Sequence, residues 1–141
     1  MRNFGLTLAI VLAVGLLCAC SERHKPEQYE MIWIEVGLWS IKVRPDGSGH
    51  YGFGSRGFDM AEFPAGTFDF AQLVEQMSKD LRTKSSSSRK YRVILDPKGD
   101  ASGTVLYSRD QSTVRAVFER AFAAATNDRV EQLRKDHPPF R

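Results

Sequence analysis

Apolar positions along this chain fall into three regimes. From Phe4 to Cys20 nearly every residue is apolar. From Tyr29 to Tyr107 apolar and polar residues mostly alternate, the period of a half-buried strand, and in two further places the period lengthens to that of a helix. Ile32, Ile34 and Val36 alternate with Met31, Trp33 and Glu35; Gly37 interrupts, and Trp39, Ile41 and Val43 continue on the odd positions. This change of phase predicts a bulge or a turn at Gly37. Arg44-Pro45-Asp46-Gly47-Ser48 predicts a hairpin turn, because Pro presets φ and Gly accepts the left-handed conformation. With Arg44 opposite Ser48, Ile41 faces Tyr51 and Trp39 faces Phe53. Both pairs are large, apolar and on one face, so the register accounts for its own core. Lys42, Arg44 and His50 then fall on the other face.

A helix is predicted to begin near Asp69. Asp69 can cap it, Gln72 sits at the capping-box position, and Phe68 and Leu73 have the spacing of a hydrophobic staple. Phe70, Leu73, Val74, Met77 and Leu81 make one stripe. Tyr91, Val93 and Leu95 alternate as a strand, Asp96 to Gly103 is rich in turn residues, and Thr104 to Tyr107 reads as the return strand. A second helix runs from about Asp110 to Ala125, with Val114, Val117, Phe118, Ala121 and Phe122 on one face. A short third helix covers Asp128 to Asp136, and Pro138-Pro139 ends it. The order is β-β-β-α-β-β-α-α. It predicts an α+β fold: a mainly antiparallel sheet of about five strands with two to three helices packed on one face. In its order of elements the chain loosely resembles the periplasmic domains of biopolymer-transport proteins that couple to the proton-motive force. Those keep an acidic residue in an N-terminal membrane helix. Met1 to Cys20 contains no acid, so that mechanism would not transfer.

The N-terminal run has the form of a secretory leader: one cation, Arg2, then an apolar stretch closing on small residues. Its apolar core, Leu6 to Leu17, is shorter than the roughly 20 residues a membrane-spanning helix needs. Leu17-Cys18-Ala19-Cys20 resembles the lipobox of bacterial lipoproteins, with an aliphatic and a small residue before an obligatory Cys. The resemblance covers about the first twenty residues. It implies that Leu17 and Ala19 are read by the signal peptidase and that the chain is cut before Cys20, whose sulfur carries a diacylglyceryl group. Cys18 departs from the commoner residues at the middle position but is small enough to fit there. The implied organisation is a leader over 1–19, a lipidated Cys and tether over 20–28, and one globular domain over 29–141. The implied location is the bacterial cell envelope. Ser21 after the Cys resembles the outer-membrane sorting class, facing the periplasm in a Gram-negative cell. A conventionally cleaved leader or an uncleaved anchor is the alternative. One acyl chain binds membranes only marginally, so stable anchoring needs the several chains that the resemblance implies.

Composition narrows the chemistry. The two cysteines are Cys18 and Cys20, so the domain itself can form neither an internal disulfide nor a thiolate metal site. Net charge is +3, one unit of it from Arg2 in the leader. That is too weak to predict nucleic-acid binding by bulk charge. The three His residues, His24, His50 and His137, lack metal-ligand spacing, and no GxxxxGK[ST] or HExxH motif occurs. No cofactor is implied. Asp46, Ser48 and His50 lie close in sequence and are the residue types of a nucleophilic triad, but the turn explains Asp46 and Ser48, and nothing in the sequence indicates an oxyanion hole. Asp59 and Glu62 could pair as general acid and base; the plainer reading of that segment is a solvated loop between sheet and helix.

Two segments have the composition of a binding surface. Gly49 to Phe58 holds four glycines, Gly49, Gly52, Gly54 and Gly57, in a run with His50, Tyr51, Arg56 and Phe58; glycines expose backbone, and Tyr and Arg are enriched at hot spots. Pairing assigns Tyr51 and Phe53 to the core instead. Lys79 to Arg92 carries Arg82, Lys84, Arg89 and Lys90 around the serines 85–88. It reads as a basic flexible loop able to meet anionic head groups or an acidic protein, or simply as a solvated connection.

Together these features lead to the expectation of a membrane-anchored lipoprotein that binds another protein, as an accessory subunit or an immunity protein. The alternatives are a cell-wall hydrolase, or a module binding peptidoglycan or a small ligand. If Cys20 is the anchor, Cys20→Ser releases the protein from the membrane fraction and abolishes its incorporation of labelled palmitate. Unchanged membrane retention in that variant would refute the assignment.

Overall fold

The computed structural model describes residues 24–55, 58–83, 91–99 and 102–140, with Phe58 and Asp59 by backbone alone. Among the described residues the strands are β1 (Tyr29–Val36), β2 (Trp39–Val43), β3 (Gly49–Phe53), β4 (Phe58–Phe63), β5 (Tyr91–Pro97) and β6 (Thr104–Ser108). The helices are α1 (Phe70–Ser78), α2 (Gln111–Ala124) and α3 (Asp128–Asp136), and a short 3-10 turn, Pro26–Gln28, leads into β1. All six strands form one antiparallel sheet in the order β4-β3-β2-β1-β5-β6. The fold is α+β, as the pattern predicts, with one strand more.

The central hairpin has the predicted register. Ile41 pairs with Tyr51 and Trp39 with Phe53. Gly47 turns with φ 78°, Arg44 N–H donates to Ser48 O, and Gly47 N–H donates to Arg44 O. Gly49 has a different reason to be glycine: a Cβ there would overlap the backbone oxygen of Lys42 on β2 and crowd the Phe63 ring that reaches over from β4. Gly37 and Leu38 make a turn, so β1 and β2 are a second tight hairpin.

The added strand, β4, stands where the sequence predicts a solvated loop around Asp59 and Glu62. A register shift between Tyr51 and Gly52 explains why its alternation is not visible. Glu62 pairs with His50, Ala61 with Tyr51, and Asp59 with Gly52, leaving Met60 as the extra residue. A single inserted residue breaks the period-two pattern that reveals a strand.

One face of the sheet and the helices share a single core. Ile32, Ile34, Ile41, Val43, Tyr51, Val93 and Leu95 are all but inaccessible, and Phe70, Leu73, Val74 and Met77 of α1 join them with Val114, Val117, Phe118, Ala121 and Phe122 of α2. Leu81 lies beyond the end of α1 and is still buried. At one end Phe122 meets Trp39 and Tyr51 edge-on, with centroids 5.2 and 5.1 Å apart. Burial raises the Tyr51 phenol above its ordinary pKa, and its hydroxyl donates to Ala125 O. Trp39 Nε1–H donates to His137 O at 2.7 Å. The chain after α3 is therefore held down, and Phe140 packs between Phe118 and Tyr91.

Each helix begins on a side-chain cap. Asp69 accepts from Gln72 N–H, Asp110 from Thr113 N–H, and Asn127 from Val130 N–H. Asp110 also accepts from the Thr113 and Ser112 hydroxyls, and these bonds, those from Thr113 first, lower its pKa. A carboxylate held in this way stabilises the fold fully above its unfolded pKa of 3.8, and that contribution is lost as pH falls through the lowered folded value. Asp110→Ala should cost about 1 kcal/mol at neutral pH. Urea titrations of both proteins should show that difference shrinking once pH drops below the unfolded value.

Candidate functional site

The helices leave the second face of the sheet without cover from the described elements. Strand pleating brings its side chains into rows. One row crosses all six strands: Glu62, His50, Lys42, Trp33, Ile94 and Val105. The next holds Gly52, Ser40, Glu35, Arg92 and Tyr107. Trp33, Lys42, His50, Ile94, Val105 and Tyr107 are each partly accessible. The face is thus neither a core nor a plain solvated surface.

Two cross-strand interactions order its middle. Lys42 Nζ stands 4.5 Å from the centroid of the Trp33 ring, a cation–π contact in which the lysine stem also covers indole surface. Trp33 Nε1 is buried and has no hydrogen-bond acceptor among the described residues. Arg92 on β5 donates to Glu35 on β1 at 2.7 Å. Their side chains are 44% and 26% accessible, so the pair is solvated and adds little to stability.

These groups border a recess of about 380 Å³ at the end of the sheet, lined by Trp33, Glu35, Leu38, Ser40, Gly54 and Arg92, with neighbours in the same turns. Leu38 is 47% accessible, the exposed large hydrophobic residue among those described. Gly37 holds φ 60° beside it, which presents Leu38 at the tip of the hairpin. Ser40 is buried at the floor. The recess therefore joins an indole, an apolar tip, a hydroxyl and an ion pair whose members can exchange one another for a ligand's groups.

The residues singled out from sequence distribute unevenly. His50 lies in the first row, between Lys42 and Glu62. Tyr51 points into the core and is fully buried, which removes it from any contact surface. Arg82 is exposed; its backbone pairs with Tyr107 beside β6, and its guanidinium donates to Leu81 O. Phe58 is placed by backbone only, opposite Phe53. Leu17, Ala19, Cys20, Arg56, Lys84, Arg89 and Lys90 lie outside the described residues. Asp46 accepts from Ser48 N–H at 2.9 Å within the turn, and hydrogen bonding from the Ser48 side chain first, then from its N–H, lowers the Asp46 pKa. Arg92, the last cation of the basic segment Lys79 to Arg92, lies on β5 rather than in a loop; Trp33, Leu38 and Tyr107 are not marked as binding residues by the sequence. For Trp33 the available signal was its place opposite the buried isoleucines of β1; for the others, no local pattern marks them.

Among the described residues no three His, Cys, Asp or Glu side chains come together as a metal-binding group, and no helix is long and apolar enough to cross a membrane. No family model matches the chain, and neither the curated proteins nor the solved structures include a significant match to it.

Because the Arg92–Glu35 pair is solvated, Arg92→Ala should change folding stability by no more than about 1 kcal/mol. Denaturant unfolding checks this. A larger loss would mean that Arg92 supports the sheet rather than presenting a surface.

Proposed function

We propose that this protein is a lipid-anchored component of the bacterial envelope that binds a partner protein through the helix-free face of its sheet. The observation that carries this reading is the composition of that face. Trp33, Tyr107 and Arg92 stand partly accessible within two adjacent rows, with the exposed Leu38 at the rim. Trp, Tyr and Arg are the residues most enriched at binding hot spots. They sit on strands, which hold their positions better than loops would. The lipobox resemblance of Leu17 to Cys20 supports the anchor.

A second reading, binding of a small polar ligand, is favoured by one feature. The recess beside Trp33 offers an aromatic ring, Ser40 and the Arg92–Glu35 pair within a volume of a few hundred Å³, the size range of small-molecule pockets.

Affinity capture from envelope extract, comparing wild type with Trp33→Ala/Arg92→Glu, tests the partner reading. The wild type should retain one protein in stoichiometric amount and the folded double variant should lose it. Equal recovery by both proteins, or none by either, would overturn it. In the latter case ligand screening at the recess becomes the better experiment.

A further inference from the structure

The sheet has two ends, and they differ in kind. One holds Leu38, Gly54 and the recess described above. The other holds the start of β1, the β2–β3 turn at Pro45 and the segment after β5 at Lys98. There Pro26, Tyr29, Pro45, Phe70, Ala71 and Lys98 surround a shallow, mainly apolar recess of about 470 Å³, with Glu27 at its rim. None of the helices or strands described covers it.

The chain reaches this end already fastened. His24 Nδ1 is hydrogen-bonded to the Tyr29 hydroxyl at 2.7 Å. Gln28 N–H donates to Lys25 O, and Lys98 N–H donates to Gln28 O. The 3-10 turn Pro26–Gln28 packs against α1. Of the tether expected over 20–28, the part from His24 onward is therefore bound to the domain. Only Ser21, Glu22 and Arg23 separate His24 from Cys20. At about 3.5 Å per residue the four steps from Cys20 to His24 span at most about 14 Å. The eight residues of β1 rise about 26 Å, at about 3.3 Å each.

From these lengths we infer that the end bearing Pro26, Tyr29, Pro45, Phe70 and Lys98 is seated on the bilayer surface, and that the Leu38 end points away from it. The inference rests on acylation of Cys20. An anchor within about 14 Å holds this end at a high effective concentration against the head groups. The apolar recess then lies at the level where Tyr side chains and Lys stems are favoured, with ring or stem in the apolar layer and polar tip in water. Charge is not the cause: Lys25, Arg44 and Lys98 are accompanied at this end by Glu27, Asp46 and Asp69. The occupant is lipid surface, not a second protein, because the tether leaves no room for a domain between membrane and recess. The same geometry lifts the helix-free face's recess to the far end, where a partner can approach it.

The test uses the full lipoprotein reconstituted into phosphatidylglycerol/phosphatidylethanolamine vesicles. The folded domain has no cysteine of its own, so Pro45→Cys, Lys98→Cys and Leu38→Cys each provide one site for an environment-sensitive fluorophore. Labels at 45 and 98 should shift to the blue and lose most of their emission to a head-group-attached quencher lipid, while the label at 38 does neither. Lys98→Cys keeps the test open if Pro45→Cys disturbs the hairpin turn. Mass spectrometry of the mature N-terminus accompanies it. If Cys20 is acylated and the label at 38 is quenched as strongly as that at 98, or neither is quenched, the orientation is wrong and the anchor stands. If Cys20 carries no lipid, the anchor is wrong and the orientation falls with it.

Discussion

β1 is the strand on which the rest of the molecule depends. It pairs with β2 on one side and β5 on the other, and so joins two hairpin systems far apart in the chain into one sheet. Ile32, Ile34 and Val36 give it one wholly buried face, which sets its register: a slip of one residue would put three aliphatic side chains in water. Without the β1–β5 pairing, β5 and β6 would be an isolated hairpin, marginal by itself in water. The helix-free face would also lose the row that runs from Glu62 to Val105.

The same strand couples core to surface. Trp33 and Glu35 alternate with the buried isoleucines, so their positions are fixed by residues that have no contact with solvent. Lys42 and Arg92 reach them from the two flanking strands. The candidate site is thus a by-product of sheet register rather than of a loop. At the edges the sheet is partly closed: Arg82 pairs with Tyr107 beside β6, and Asn127 Nδ2 donates to Met60 O on β4. Such cover reduces the open backbone that would otherwise invite further strands.

The ends of the sheet divide the work proposed for the protein. The N-terminal segment from His24, the turn at Pro45 and Lys98 gather at one end, while Leu38 and Gly54 stand at the other. An antiparallel sheet enforces this separation, because every tight turn must lie at one end or the other. Under the proposed anchor at Cys20, a short tether would convert it into an orientation relative to the membrane. The chain after α3, held to Trp39 through His137 and to Tyr91 through Phe140, closes the core behind this sheet at the Leu38 end.

Much of the fold was legible in the sequence because its signals are local. The Pro45-Asp46-Gly47 turn, the cap Asp69, the helix start at Asp110, the stripe Phe70 to Met77 and the pairing of Ile41 with Tyr51 each depend on residues close in the chain. So does the lipobox resemblance, which is a reading of four consecutive residues. β4 was missed because one extra residue at Met60 breaks the alternation by which a strand is recognised. The candidate site was hardly legible at all. Local pattern gave His50 its face and assigned Tyr51 to the core, but Trp33, Leu38, Ser40 and Arg92 come together only when β1 pairs with both β2 and β5. Local sequence determines which residues turn, cap and alternate, since those choices are made within a few bonds; which strands become neighbours is decided by burial of a shared apolar face, and that exists only once the chain has folded.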